Sequence, residues 1–395
     1  MPVNPTVLPM ARAIGNAVAA LGLTWRFIWS TPPEDRERHW GDSAGDDDWL
    51  DFPLPVSWYA SSRDYTFQMI QGRRQIGRHD LRGKFGVFAS FIDKGWAPRL
   101  FSLECERQGI PTAFIQEGMS LEPRRISAQE AQAHVPAVRR ARRSVMRAAR
   151  RIRSTVAPGM FGYVDEGMHS TCACVYGRER AAALRALGKP ADRIFITGNP
   201  AFDALTARPI DPVPRSRTIV YAHQRLLEGG EGLALEMRWW KTLAEASNRI
   251  GARLIFKLHP RAGLSADDIR GFLGPLQAST DIREDGDVQD LIGSGGAFVT
   301  ACSTAAYRAL VEGVPIVLLE GIPFGLGVDL GRTGAALSAR TTDDLPRLLQ
   351  AALDDPGLRT GLQPAVDAAI ERHLHQLDGK AAHRVAAALA GLVRK

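Results

Sequence analysis

Short β-branched and aromatic runs alternate with segments of helical period from near the start of the chain to about residue 340, the pattern of βα units built around parallel sheets. The first half offers strands at 24–30, 56–61, 85–90, 112–116, 171–176 and 193–197. Several are almost wholly apolar, as strands covered on both faces are. Residues 207–218 (ARPIDPVPRSRT) carry three prolines and no periodicity, which predicts a linker. A second series follows, with strands at 218–223, 253–259, 296–301 and 315–320 and helices near 231–250, 266–277 and 304–312. The tail from 342 to 395 has helical composition and period. The opening residues, MPVNPTVLPM, look like the loop that follows a strand, so either the first strand is absent or 24–30 is itself the opening strand.

At 395 residues the chain exceeds one ordinary core, and two domains are expected. A hydrophobic share of 45% with 24% charged residues excludes a largely disordered chain, a collagen and a membrane bundle. The apolar stretch 11–23 is interrupted by Arg12, Asn16 and two glycines, which predicts neither a signal peptide nor a membrane span. Four scattered cysteines form no CxxC pair and lie near no histidine cluster, so neither a zinc site nor a disulfide framework is indicated. Cys172 and Cys174 share one strand face and read as small buried hydrophobes of a reducing cytoplasm.

The net charge of +7 suggests a polyanion partner until its source is located. Eight arginines fall between Arg139 and Arg153, and the remaining 42 basic residues barely match 43 acidic ones. The excess belongs to one segment, which argues against nucleic acid. There Val138, Ala141, Val145, Ala148, Ala149 and Ile152 recur at helical spacing, giving a basic amphipathic helix. Two readings fit it: a helix lying on the anionic inner face of the plasma membrane, or a solvated helix packed on its own domain through small residues.

In open parallel sheets ligands collect beyond the carboxyl ends of strands, so the polar residues there are the candidates. Gln116, Glu117 and Gly118 put a carboxylate and a glycine at one such end, suited to a general base or, more plainly, to a cap or ion pair. Lys257, His259 and Pro260 close the strand from 253, offering a cation and an imidazole to a phosphate, or a histidine that merely bonds a backbone carbonyl. Cys302, Ser303 and Thr304 place two hydroxyls before a helix, for an anion or for plain capping. His223 precedes a glycine-bearing loop to Gly232 that follows neither a GxGxxG nor a Walker pattern. This disfavours a P-loop NTPase and a standard dinucleotide binder.

The order of these signals is more specific than any one of them: strand-QEG, a Gly198-Asn199-Pro200-x-x-Asp203 crossing, strand-KLHP, then strand-x-Ser-Thr-helix. It resembles the GT-B glycosyltransferases of bacterial surface polysaccharides, with its nearest likeness in the CMP-sugar-using sialyl- and Kdo-transferases of capsule and lipopolysaccharide. The resemblance implies an α/β fold of two Rossmann-like domains whose parallel sheets face a central cleft. It implies an acceptor-side domain over 1–210 with a basic helix insertion at 127–155, a nucleotide-sugar domain over 211–372, and a terminal helix over 373–395 packing back on the first domain. By the same likeness Glu117 is the catalytic base, and His259, Ser303 and Thr304 hold the donor phosphate, with His223, Lys257 and Pro260 beside them. Gln116, Gly118, Asn199 and Asp203 are expected to line the cleft.

No metal or bound cofactor is expected, because Asp46 to Asp48 fall in a polar loop and no DxD motif closes a strand. The implied partners are a nucleotide-sugar, CMP-sugar favoured over UDP-sugar, and a glycan or lipid-linked glycan acceptor, in the cytoplasm or on the inner membrane face. Gln116 departs from the acidic first position of the sialyltransferase tripeptide and is closer to the QxG form of β-Kdo transferases, leaving the donor sugar open. UDP-GlcNAc 2-epimerases share the crossing and the strand-end glutamate. However, Phe91-Ile92-Asp93 replaces their HGD, and Ser303-Thr304 replaces their serine with paired glycines. CDP-glycerol glycerophosphotransferases share the KLHP strand end but carry histidine where Glu117 stands. A non-catalytic glycan-binding module is the reading from a different class.

Overall fold

The computed structural model describes residues 7–29, 49–51, 76–82, 84–91, 96–119, 122–123, 166–224, 230–259, 263–322 and 326–393. The expected strand at 56–61, the basic helix at 139–153, the acidic loop at 46–48 and Pro260 lie outside these residues. In chain order the elements are α1 (Val7–Ala20), β1 (Phe27–Trp29), β2 (Trp49–Asp51), β3 (Phe88–Ser90), α2 (Trp96–Arg107), β4 (Thr112–Ile115), β5 (Glu122–Pro123), β6 (Cys172–Val175), α3 (Arg178–Ala186) and β7 (Ile194–Ile196). They continue with β8 (Thr218–Ala222), α4 (Gly230–Arg249), β9 (Arg253–Lys257), α5 (Ala266–Leu273), β10 (Thr280–Arg283), α6 (Val288–Ile292), β11 (Ala297–Thr300), α7 (Ala306–Val311), β12 (Ile316–Leu319), β13 (Leu326–Gly327) and β14 (Leu337–Ala339). Four helices close the chain: α8 (Asp344–Asp354), α9 (Pro356–Gly361), α10 (Gln363–Leu374) and α11 (Ala381–Val393). No helix among the described residues is long and apolar enough to cross a membrane.

The chain divides into two compact units. Unit one takes the described residues among 1–118, 150–205 and 372–395, and unit two takes those among 119–149 and 206–371. Unit one is built on a parallel sheet of order β3-β4-β6-β7. Alternation sends Ala113, Ile115, Cys172 and Cys174 to one face, where α1 and α11 cover them with Val7, Met10, Ile14, Val385 and Leu389. Phe114, Ala173, Val175 and Ile194 go to the other, against Ala181 and Leu184 of α3. All four cysteines are buried as free thiols, with Cys172 and Cys174 inside the first of these layers. The segment 27–29 does not open this sheet; β1 pairs with β2 in a separate parallel ribbon.

Unit two holds a six-stranded parallel sheet of order β10-β9-β8-β11-β12-β14. Ile219, Tyr221, Leu254, Phe256, Ala297, Val299, Val317 and Leu319 point into one core, closed by Trp239, Trp240 and Leu243 of α4 and by Leu345, Leu349 and Leu353 of α8. The intervening Val220, Ile255, Phe298, Ile316 and Leu318 are buried as well, so the sheet is covered on both faces. The helix expected over 266–277 ends at Leu273, and a 3-10 turn leads into β10. That strand reads as polar because it is an edge, its Asp281 paired with Arg253 and Arg283. A short β5–β13 antiparallel pair also belongs to this unit.

The proline-bearing stretch 207–218 is not a loose linker. Arg208 donates its amide to Val311 and pairs with Glu312 at 3.1 Å, and the Ile210 amide donates to Gln363 Oε1 at 2.7 Å. Ser216 Oγ donates to the Ser294 carbonyl, and Arg217 pairs with Asp354. Arg359, only 2% exposed, donates to the carbonyls of Asp211, Gly296 and Ala352, tying the stretch, β11 and α8 together. The stretch belongs to unit two, whose second segment begins at Thr206.

Two outcomes follow from this packing. Arg359→Leu strands two buried carbonyls and one part-buried one and should destabilise the protein by about 3 kcal/mol or more in urea unfolding. In unit one, burial and the charges of Arg99 and Lys189 lower the pKa of His169 from 6.5 to about 4. Its neutral form is therefore the one folding favours, and the stability it confers is lost as pH falls from 6.5 toward 4. His169→Gln should flatten the thermal-unfolding pH profile across that window.

Candidate active site

Parallel register lines up the strand ends of unit two. Ala222 of β8 stands opposite Lys257 of β9 and opposite Thr300 of β11, while Thr300 faces Leu318 of β12. Two residues beyond these positions come Gln224, His259, Cys302 and Glu320, four polar side chains along one carboxyl edge of the sheet. His259 is exposed there. The Thr300 hydroxyl, fully buried, donates to the Ala222 carbonyl at 3.2 Å and accepts the Ser303 amide at 3.0 Å, which locks the start of the turn. Ser303 Oγ accepts from the Ala305 amide at 3.3 Å. Its hydroxyl proton, and the exposed Thr304 hydroxyl, make no hydrogen bond among the described residues. The Cys302 thiol donates to Gln224 Oε1 at 2.7 Å.

Two residues expected at this edge are turned to other tasks. His223 is 1% exposed, its ring 4.9 Å from Trp240 and 5.4 Å from Phe256, so it belongs to the aromatic core under the sheet. Strand alternation is the reason: the residue presented toward Cys302 is its neighbour, Gln224. Lys257 is 4% exposed, and its ammonium donates to the carbonyls of Leu258 and Glu284, joining the ends of β9 and β10. Burial lowers its pKa, opposed by the charges of Asp285, Asp287 and Glu284.

In unit one, Gln116 is a buried clasp. Its Oε1 accepts the Tyr176 amide at 2.8 Å and its Nε2 donates to the Gly118 carbonyl at 2.8 Å. Tyr176, buried against Met10, donates its hydroxyl to the Glu117 carbonyl at 2.8 Å. Its phenol pKa is raised by burial and by the nearby Glu117 charge. Backbone clasps thus fix Glu117 on both sides, with its side chain half-buried. Nothing described lies within 4 Å of where a Cβ on Gly118 would stand, so this strand end is open.

The neighbouring strand ends are closed. A Cβ on Gly177 would strike the backbone of Arg372 and His373, and Gly198, at φ +81°, lies under Ala381 and the Leu374 carbonyl. Asn199 is spent on the Ala201 amide at 3.0 Å. Asp203 caps α11, accepting the amides of Ala381 and Ala382 at 2.8 Å each. Of the crossing residues expected to line the cleft, Asp203 anchors the C-terminal segment and Asn199 caps its own turn.

Residues missed by the sequence reading are Gln224, Tyr176 and Glu320. Gln224 stands two residues and Glu320 one residue past an apolar strand, and only the register brings them into line. Among the described residues no three His, Cys, Asp or Glu side chains converge as metal ligands.

No protein-family model and no curated protein matches the chain. Solved structures do. The UDP-GlcNAc 2-epimerase from Methanocaldococcus jannaschii is similar over 98% of each chain, at 13% identity and a TM-score of 0.60. The glycotransferase of kitacinnamycin matches 98% of this chain and 95% of its own, at 15% identity and 0.60. The UDP-GlcNAc 2-epimerase from Neisseria meningitidis, bound to UDP-GlcNAc, matches over 97% of both chains at 14% identity and 0.56. At these identities the likeness is one of fold: the chain has the two Rossmann-like, parallel-sheet domains of GT-B proteins.

Asp203→Ala should cost about 1–2 kcal/mol in urea unfolding, through loss of the α11 cap, with Asp203→Asn falling between it and wild type.

Proposed function

We propose that the protein is a nucleotide-sugar-dependent glycosyltransferase. The observation that carries this reading is the carboxyl edge of unit two, where Ser303 and Thr304 hold hydroxyl donors unspent among the described residues and His259 is exposed on the same edge. Such an edge suits the phosphate of a nucleoside-phosphate donor. Glu117, clasped at an open strand end of unit one, suits a general base.

In the reaction, the Glu117 carboxylate takes the proton of an acceptor hydroxyl as its oxygen bonds to the anomeric carbon. The bond from that carbon to the donor phosphate breaks, and its electron pair leaves with the nucleotide. Ser303, Thr304 and His259 take up the charge that develops on the departing phosphate. A donor aimed at such charge is commonly worth about 3–4 kcal/mol, so this term dominates.

The motif order supports a CMP-sugar donor, while neighbours solved with UDP or UDP-GlcNAc support a UDP-sugar. A second reading is favoured by the epimerases among those neighbours, which match nearly the whole chain. It makes the protein a UDP-GlcNAc 2-epimerase, acting without an acceptor.

Calorimetry with CMP, CDP, UDP and GDP should find one tight nucleotide, and His259→Ala should weaken it about tenfold or more. Binding of no nucleotide would leave a glycan-binding module as the better account. Glu117→Gln should abolish turnover and spare nucleotide affinity; equal loss of both would make Glu117 structural. Formation of the 2-epimer from UDP-GlcNAc with no acceptor present would favour the epimerase.

A further inference from the structure

We propose that Gln224 is a specificity-determining residue for the donor phosphate, and that Cys302 is the positioning residue that fixes which end of its carboxamide faces the ligand. The proposal rests on the nucleotide-sugar reading and adds a residue and a recognition rule to it.

A carboxamide presents a donor on one side and an acceptor on the other, and a half-turn about its last bond exchanges them. A phosphate accepts hydrogen bonds only, so the side chain helps in one orientation and repels in the other. In this structure the Cys302 thiol donates to Gln224 Oε1 at 2.7 Å. The thiol is 3% exposed and sits on the residue after Ala301, at the strand end held by the Thr300 hydroxyl. With Oε1 engaged, the Nε2 hydrogens point elsewhere, and they make no hydrogen bond among the described residues. Gln224 itself is half-buried and so reachable from the edge.

The same turn carries the Ser303 and Thr304 hydroxyls. Gln224 Nε2 thus makes a third neutral donor beside them, on the neighbouring strand end. The thiol performs the positioning task here by giving its single proton to the carboxamide oxygen. The ligand class this set recognises is the anionic phosphate of a nucleoside phosphate, and the discrimination is between a phosphate that accepts and any group there that donates.

The test uses the full chain and calorimetric titration with UDP and CMP, on wild type and on Gln224→Leu, Gln224→Glu, Cys302→Ala and Cys302→Ser, each first checked by thermal unfolding. Gln224→Leu should weaken the preferred nucleotide about tenfold, and Gln224→Glu more, because it sets a carboxylate against the phosphate. The Gln224→Glu deficit relative to wild type should shrink as pH is lowered toward about 5, where the new carboxyl gains a proton and donates again. Cys302→Ala should weaken binding several-fold, and Cys302→Ser, which keeps a donor, should restore it.

Gln224→Glu binding as tightly as wild type would overturn the proposal, as would a deficit independent of pH. Equal losses in Cys302→Ser and Cys302→Ala would remove Cys302 from the positioning role. Should Cys302→Ala fail to fold, the Gln224 variants and the pH profile still decide the first claim, and the serine variant the second. Wild-type protein that binds neither nucleotide would fail the underlying reading, a result distinct from tight wild-type binding indifferent to Gln224.

Discussion

The buried Thr300 hydroxyl holds two strand ends of unit two at once, donating to the Ala222 carbonyl and accepting the Ser303 amide. It works because parallel pairing starts every strand from the same edge, so β8 and β11 finish together, with Ala222 opposite Thr300. The Ser303 turn and the Cys302–Gln224 contact both hang from that junction. Ser303 begins its turn there, and Cys302, one residue earlier, reaches back to Gln224 beyond the partner strand. A slip of one residue in the β8–β11 register would send Gln224 into the aromatic core and bring His223 to the edge. The core filled by Trp240, Phe256 and Tyr221 resists such a slip, so hydrophobic packing decides which polar residue is presented.

Unit one uses its C-terminal segment for a comparable selection. Arg372 to His375 lies on Gly177, Arg372 pairs with Glu179 at 2.6 Å, and α11 is capped by Asp203 and packs on α1. The ends of β6 and β7 are thereby covered, and the end of β4, with Glu117 and Gly118, is left open. The last residues of the chain are thus required to complete a layer begun by Val7 and Met10. Contacts this distant in sequence slow assembly, because the intervening chain must be closed before they can form.

This division of labour explains what the sequence made legible. Strands such as 112–115 and 297–300 were readable because both faces are buried and the apolar run is continuous. The positions of Glu117, Ser303 and Thr304 were readable as well, since each follows such a run directly. What escaped was decided by partners remote in sequence. Asp203 reads as a cleft residue because nothing near it in sequence reveals that its carboxylate meets amides 178 and 179 positions later. Lys257 looked like a phosphate cation because the carbonyl of Glu284 is supplied by a different strand end. His223 outranked Gln224 on chemical type alone, whereas alternation at the strand end gives the opposite assignment. The edge strand β10, held by Asp281 between two arginines, carries too few apolar positions to show as a strand at all.

The spent lysine has an electrostatic corollary. Lys257 is countered by Glu284, Asp285 and Asp287, so among the described residues its ammonium adds little positive field at the carboxyl edge near β9 and β10. The chain's excess of arginine is carried by residues 139–153. In the proposed reading, the described groups that would meet an anion at this edge are the neutral hydroxyls of Ser303 and Thr304 and the His259 imidazole. Directed neutral donors contribute only when the geometry fits, and they are screened less by salt than paired charges are. They also hold a product phosphate less tenaciously than a cluster of cations would. In the proposed transfer the departing group must be stabilised as charge appears and then released, and only binding realised in the transition state accelerates the step.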